Sequence, residues 1–153
     1  MSDRDAVTLA IVGAGEMGAA VGRRLREAGA RVVTSVAGRS AESVARVRDA
    51  GIEVVNDDDS MVRGADFVLS IVPPGVAVEV AERFRGPIGR ARNKSVFVEC
   101  NAISPATCRR IRDILDATSF IDAGIIGGPP VAGTQDPAKG PRVGSARPFV
   151  DRE

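Results

Sequence analysis

Val7-Thr-Leu-Ala-Ile-Val-Gly13-Ala-Gly15-Glu-Met-Gly18 decides the fold of this chain. The apolar run from Val7 to Val12 stops at three glycines spaced Gly13-x-Gly15-x-x-Gly18, and Met17, Val21, Leu25 and Ala28 then recur on one face at helical spacing. Strand, glycine turn and helix in immediate succession open a βαβ unit. In that setting Gly13 permits the tight turn out of the strand. Gly15 lets backbone approach a pyrophosphate with no Cβ in the way, and Gly18 lets the helix pack close to the sheet. The first-turn N–H groups, which have no partner inside the helix, then face the phosphates. The reading is dinucleotide binding.

Outward from this turn the same alternation continues. Gly29 closes the first helix, Arg31 to Val36 forms a second strand, and Ala37-Gly38-Arg39 turns the chain. Ser40 caps a helix with Val44 and Val47 inward that ends at Gly51, and Ile52 to Val55 is a third strand. Asp66 to Val72, nearly continuous in apolar character, suits a central parallel strand covered on both faces. It ends in Pro73-Pro74-Gly75, before a helix carrying Val76, Val80 and Phe84. That proline turn falls at the carboxyl edge of the sheet, where open α/β sheets bind ligands. Ser95 to Cys100 is a fifth strand; Ser104 and Pro105 start a helix whose Cys108, Ile111 and Leu115 face inward; Ser119 to Asp122 is a sixth strand. The pattern predicts an α/β doubly wound, mainly parallel sheet of the Rossmann type, with about six strands and helices on both faces. The domain spans residues 1–130, and 131–153, rich in proline, glycine and charge, reads as an irregular tail with one short strand near Arg142 to Gly144.

Composition excludes several chemistries. The chain of 153 residues has no histidine, which removes Ser-His-Asp and Cys-His nucleophile systems and histidine metal sites. Two cysteines, Cys100 and Cys108, are too few for a disulfide framework, and a reduced cytoplasmic setting is expected. The net charge of +1 gives no footprint for nucleic acid, and no apolar run is long enough for a signal segment or a membrane span. The arginines from Arg83 to Arg92 and from Arg109 to Arg112 read as solvated helix faces. Asn56-Asp-Asp-Asp-Ser60 is read as a helix cap with dipole-stabilising acids rather than a metal site, because consecutive side chains cannot converge on one ion. No metal is expected.

The cofactor's form follows from the end of the second strand. A domain selective for NAD places an Asp or Glu there to accept the ribose hydroxyl protons. Val32 to Gly38 contains no acid, and Arg39-Ser40 supplies a guanidinium and a hydroxyl suited to a 2′-phosphate. Gly38, Arg39 and Ser40 are therefore candidate cofactor residues, and NADP is expected over NAD.

Four segments in order, Gly13-Ala-Gly-Glu-Met-Gly18, Pro73-Pro74-Gly75, Glu99-Cys-Asn-Ala-Ile-Ser-Pro105 and Asp122-Ala-Gly-Ile-Ile-Gly-Gly128, resemble the N-terminal domain of the β-hydroxyacid and 6-phosphogluconate dehydrogenase superfamily. The branch with a C-terminal domain of unknown function is the most similar, through Asn-Ala-Ile-Ser-Pro-Ala-Thr and Gly-Ile-Ile-Gly-Gly-Pro-Pro. The resemblance covers residues 7 to about 130. It implies a phosphate site over Gly13, Ala14, Gly15, Glu16, Met17 and Gly18, with Val72, Pro73 and Pro74 lining the adenosine side. It also places Asn101 near the nicotinamide and Gly127 and Gly128 on the substrate-side turn. The chain departs from the β-hydroxyacid pattern at Ile126, where that pattern has serine, and at Asn101-Ala102, where it has Ser-Thr.

Family members continue into a helical domain that carries the catalytic lysine and most of a dimer interface, so this chain is expected to be a truncated form of a homo-oligomeric enzyme. Its only lysines, Lys94 and Lys139, lie outside the family's lysine motif, and no catalytic residue is assigned. The expected function is the cofactor domain of an NADP-dependent oxidoreductase acting on a small hydroxy acid, carbonyl or imine. The alternative is a stand-alone NADP-binding regulatory or sensor module. Pyrroline-5-carboxylate reductase shares the Met-Gly ending of the glycine turn, but the Asn101–Pro105 and Asp122–Gly128 segments argue against it.

Overall fold

A computed structural model describes residues 6–116, 118–133, 142–143 and 147–148. The first six strands, β1 (Thr8–Val12), β2 (Arg31–Ser35), β3 (Glu53–Val55), β4 (Phe67–Ser70), β5 (Val96–Glu99) and β6 (Phe120–Asp122), pair in parallel in the order β3-β2-β1-β4-β5-β6. The order reverses between β1 and β4, both of which run from the same edge. The crevice at that reversal, above the carboxyl ends of the strands, is where ligands enter such sheets.

Strand alternation distributes the side chains to two cores. Ala10, Val12, Val33, Val68 and Phe97 point to one face, where they meet α3 (Asp58–Val62), α4 (Ala77–Arg90) and α5 (Pro105–Leu115) through Met61, Phe84 and Ile111. Ile11, Val32 and Val98 point to the other, where α1 (Glu16–Glu27) and α2 (Ala41–Asp49) contribute Ala19 and Val47. On this second face Phe67, Leu69, Val96 and Ile121 are only partly buried, so cover is thinner over β4, β5 and β6 than over β1 and β2.

The expected caps form. Ser40 accepts from the Ser43 N–H at 3.2 Å, Asp57 from the Ser60 N–H at 2.7 Å, and Ser104 from the Thr107 N–H at 3.1 Å. Asp58 and Asp59, beyond the cap, reach across to α4 and pair with Arg83 at 2.8 Å and Arg90 at 2.9 Å. The acidic cluster thus ties two helices together. Gly29 and Gly51 follow helix ends with positive φ.

Three expectations need correction. Ala28, assigned to the inward face of α1, is its exposed C-cap, because the helix ends at Glu27, one residue short of it. Val76 does not join the buried face of α4: Pro74–Val76 is a 3₁₀ turn that leaves it 38% exposed. The stretch after 130 holds more order than one short strand. Two strands, β8 (Arg142–Val143) and β9 (Arg147–Pro148), pair antiparallel with β7 (Ile125–Ile126) and β6 respectively, so β9 becomes a seventh strand at the sheet edge. Both pairs are two residues long, too short for alternation to register in the sequence. Lys139 lies outside the described residues.

Candidate functional site

The glycine turn is pressed against the end of β4. Gly13 has φ +109°, and a Cβ there would stand 2.0 Å from the Ile71 carbonyl oxygen. A Cβ at Gly18 would stand 2.0 Å from the Gly13 carbonyl oxygen, so this glycine packs α1 onto the turn itself. The same added Cβ would stand 3.5 Å from Ile11 Cγ2 of β1, and a second close approach is made at Gly22, whose Cβ would meet Ile52 Cδ1 at 2.4 Å. Gly15 differs from all three. It is the N-cap of α1, no side chain caps the helix there, and no atom lies within 4 Å of where its Cβ would be. The turn therefore presents bare backbone and an uncapped helix N-terminus to open space, as an anionic pyrophosphate requires.

Two clefts adjoin this opening. One, of about 380 Å³, is lined by Gly15, Glu16, Met17, Gly18, Ile71, Val72, Pro73, Pro74, Cys100, Asn101, Ala102 and Ile125. The other, of about 450 Å³, is lined by Gly13 and Ala14, by Ser35, Ala37 and Arg39 from the end of β2, and by Asp58, Glu79 and Arg83 among others. Val72 and Pro73 belong to both and form the wall between them. The two together make an elongated groove across the reversal point of the sheet.

Charge is placed unevenly in the second cleft. Arg83 is held by Asp58, whereas Arg39 makes no ion pair among the described residues. Arg46 of α2 leans over the glycine turn, its Nη1 donating a long bond of 3.5 Å to the Ala14 carbonyl while Nη2 binds Glu42 at 2.8 Å.

The first cleft rests on a buried polar cluster. Asn101 Oδ1 accepts from the Val72 N–H at 2.9 Å, and Asn101 Nδ2 donates to Ser70 Oγ at 3.2 Å and to Glu99 Oε1. The Asn101 N–H also donates to Glu99 Oε1, at 3.1 Å. Glu99 is fully buried, and its Oε2 has no hydrogen-bond partner. Burial pushes the Glu99 carboxyl up to about 7, against the pull of its bonds from Asn101 and of the neighbouring Ser70 hydroxyl. Burial likewise raises both Cys100 and Cys108 to about 12, so neither thiol is poised for nucleophilic work.

Of the residues singled out from the sequence, Gly15, Glu16, Met17, Gly18, Val72, Pro73, Pro74 and Asn101 meet in the first cleft, and Gly13, Ala14 and Arg39 in the second. Pro74 faces only the Asn101 side. Gly38, Ser40, Gly127 and Gly128 line neither cleft. Gly38 supplies a turn with φ +70°, the Ser40 hydroxyl is spent on Ser43, and Gly127 and Gly128 are exposed beyond β7. Sequence reasoning missed Arg46, Arg83 and Glu99. For the arginines only tertiary folding brings the helix faces to the groove. For Glu99 a signal existed: an acid closing the apolar run Val96-Phe-Val98.

Among the described residues no helix is long and apolar enough to cross a membrane. Residues 8–137 match the family described as the NAD binding domain of 6-phosphogluconate dehydrogenase. The chain is 28% identical over 123 residues to the 3-hydroxyisobutyrate dehydrogenase of Pseudomonas aeruginosa, covering 78% of this chain and 41% of that one. Its structure is similar to that of a conserved protein of unknown function that resembles 3-hydroxyacid dehydrogenases, with 34% identity, a TM-score of 0.69, and coverage of 80% of this chain and 45% of the other. It is also similar to the 3-hydroxyisobutyrate dehydrogenase of Mycobacterium tuberculosis, solved with L-serine, with 26% identity, a TM-score of 0.67, and coverage of 80% and 42%. The chain thus spans less than half the length of each of these relatives. With its family profile matched over most of its length, its Rossmann-type sheet and its glycine turn, the chain belongs to the 6-phosphogluconate dehydrogenase NAD-binding domain family.

Proposed function

We propose that this chain binds NADP along the two adjoining clefts and serves as the cofactor domain of an oxidoreductase. The reaction is hydride transfer to or from a small hydroxy acid, carbonyl or imine. The observation that carries this reading is the Gly15 opening, where an uncapped helix N-terminus meets a groove with space for backbone-to-phosphate contact. In this reading the pyrophosphate lies over Gly13 to Gly18, the adenosine extends toward Arg39, and the nicotinamide toward Asn101. The cofactor supplies the hydride chemistry, and the chain supplies binding and orientation. The names of the two hydroxyisobutyrate dehydrogenases support a hydroxy acid as the substrate class.

The preference for NADP rests on the end of β2. No acid stands between Val32 and Gly38, and Arg39 lines the cleft with its guanidinium outside any ion pair among the described residues. A charge-assisted contact to a 2′-phosphate contributes roughly 1.5–3 kcal/mol. Calorimetric titration tests it. NADPH is expected to bind more tightly than NADH, and Arg39→Ala to weaken NADPH by about tenfold or more while leaving NADH nearly unchanged. Equal loss for both cofactors, or tighter binding of NADH by the unaltered chain, refutes the assignment. Hydride transfer from NADPH to a carbonyl and imine panel separates an enzyme from a binding module.

A further inference from the structure

The β4 ladder stops at Ser70, and two residues later the Val72 N–H is taken by a side chain, Asn101 Oδ1, at 2.9 Å. Val72 is the wall common to both clefts. Asn101 is in turn held from behind: Glu99 Oε1 accepts both its backbone N–H and its Nδ2, and Ser70 Oγ accepts from Nδ2 at 3.2 Å. An asparagine carboxamide can flip, exchanging its acceptor for its donor at little intrinsic cost. Here a flip would set an N–H₂ against the Val72 N–H and a carbonyl oxygen against the Glu99 carboxyl. The acceptor at Glu99 is what selects the orientation that binds Val72.

The geometry points to Glu99 as a positioning residue: from beneath the cleft it orients the Asn101 carboxamide, which fixes the Val72–Pro73 wall shared by the two cavities. The role deepens the cofactor reading given above, and its affinity arm rests on that reading. Glu99 does not touch the cleft itself and acts only through Asn101.

This arrangement makes the wall sensitive to protonation. Oε1 is occupied by two N–H donors, so a proton on Glu99 resides on the unpartnered Oε2. When Glu99 is ionised, both bonds from Asn101 are charge-assisted and the hold is strong. When it is neutral they weaken. Burial and the nearby Asp122 of β6 favour the neutral form, with a midpoint of about 7. The other titratable neighbours are Cys100 beside it and Cys108 on α5, both displaced by burial to about 12 and therefore uncharged across that range. Ionisation also adds a negative charge beneath a groove read as taking a polyanion, so it opposes NADPH binding.

The test is a titration of the full chain followed by NMR, first without cofactor. The Glu99 carboxyl carbon, the Asn101 side-chain amide and the Val72 backbone amide are expected to move together through one midpoint near 7. In Glu99→Gln, whose side-chain oxygen still accepts from Asn101, the Val72 transition is expected to vanish. A Val72 amide that stays flat while Glu99 titrates, a Glu99 that does not titrate near neutrality, or an unchanged Val72 transition in the Gln variant overturns the proposal. In the second arm, NADPH affinity is expected to fall more steeply with pH in the unaltered chain than in Glu99→Gln, by up to about threefold per unit at the midpoint and toward about tenfold per unit above it. The Gln variant subtracts the 2′-phosphate's own ionisation, which lies near pH 6. Identical pH dependence in the two proteins overturns the coupling to the cleft. Should NADPH bind at no pH, the cofactor reading falls, and the cofactor-free titration still decides the role of Glu99.

Discussion

The two ends of the groove are built from different materials. At the glycine turn the shape is made by backbone: Gly13 lies against the Ile71 carbonyl, Gly18 against the Gly13 carbonyl, and Gly15 faces open space. At the Asn101 end the shape is made by side chains that hold one another, Glu99 on Asn101, Ser70 on Asn101, and Asn101 on Val72. A backbone-built end tolerates no added atom where it is packed, and it is indifferent to pH. The side-chain-built end tolerates a conservative change, but its strength varies with the charge state of one carboxyl. Substitutions should therefore separate the two ends by the kind of damage they cause.

The largest expected effect is at Gly13. Alanine there combines a φ of +109° with a Cβ 2.0 Å from a backbone oxygen that cannot rotate away. Gly13→Ala is expected to destabilise the chain by at least about 3 kcal/mol, a large share of a typical domain's stability. Gly15→Ala, two residues on, has φ −74° and no atom within 4 Å of the new methyl. Its stability is expected to change by less than about 1 kcal/mol while NADPH affinity collapses. Thermal denaturation with calorimetry on both variants checks the contrast. Equal destabilisation would mean the turn does not distinguish a packed glycine from an open one.

The same division explains what could be read from residues alone. Gly13, Gly15 and Gly18 are local: the strand before them and the helix after them carry the whole argument, and β1 and α1 form where expected. Ser40 and Ser104 are likewise legible, because a cap needs only its next three residues, and the run Asn56-Asp-Asp-Asp-Ser60 is legible as a capping segment in which the structure singles out Asp57. Arg46 reaches the turn only because α2 packs beside α1, and Arg83 enters the second cleft only because α3 and α4 meet. Nothing local to either arginine records that. The strands β8 and β9 are fixed by partners in β7 and β6 rather than by any alternation of their own. Ser40 beside Arg39 reads locally as half of a phosphate clamp, and only the folded helix shows its hydroxyl bonded to Ser43.

The second effect concerns stability against pH. Glu99 rises from 4.5 to about 7 on folding. Between those values the native state binds more protons than the unfolded chain, so stability falls as pH rises through the window and levels off above it. The shift corresponds to roughly 3 kcal/mol at most. Glu99→Gln removes this titration, so its stability relative to the unaltered chain is expected to climb from about pH 4.5 to about pH 7. Urea denaturation across that range provides the measurement. A constant difference between the two proteins would place Glu99 in an environment no more costly than water and dissolve the contrast between the ends.

The smallest effect is expected at Ser40, where two roles can be separated by two substitutions. As the N-cap of α2 it accepts from the Ser43 N–H at 3.2 Å and shares a bond of 3.1 Å with the Ser43 hydroxyl. Removing the cap with Ser40→Ala is expected to cost about 1 kcal/mol of stability. Aspartate is as good a cap as serine and suits the helix dipole, so Ser40→Asp is expected to keep the stability that alanine loses. The two variants part again on cofactor. If the Ser40 hydroxyl touched a 2′-phosphate, a carboxylate in its place would repel the phosphate at contact distance and cost NADPH tenfold or more, beyond any loss of NADH. Ser40 lies outside the lining of the Arg39 cleft, and solvent screens an exposed carboxylate at longer range. The expected result for Ser40→Asp is therefore a loss of NADPH affinity of less than about threefold, with NADH unchanged. A loss as large as that of Arg39→Ala would move Ser40 from the helix to the phosphate and extend the side-chain-built part of the groove to its adenosine end.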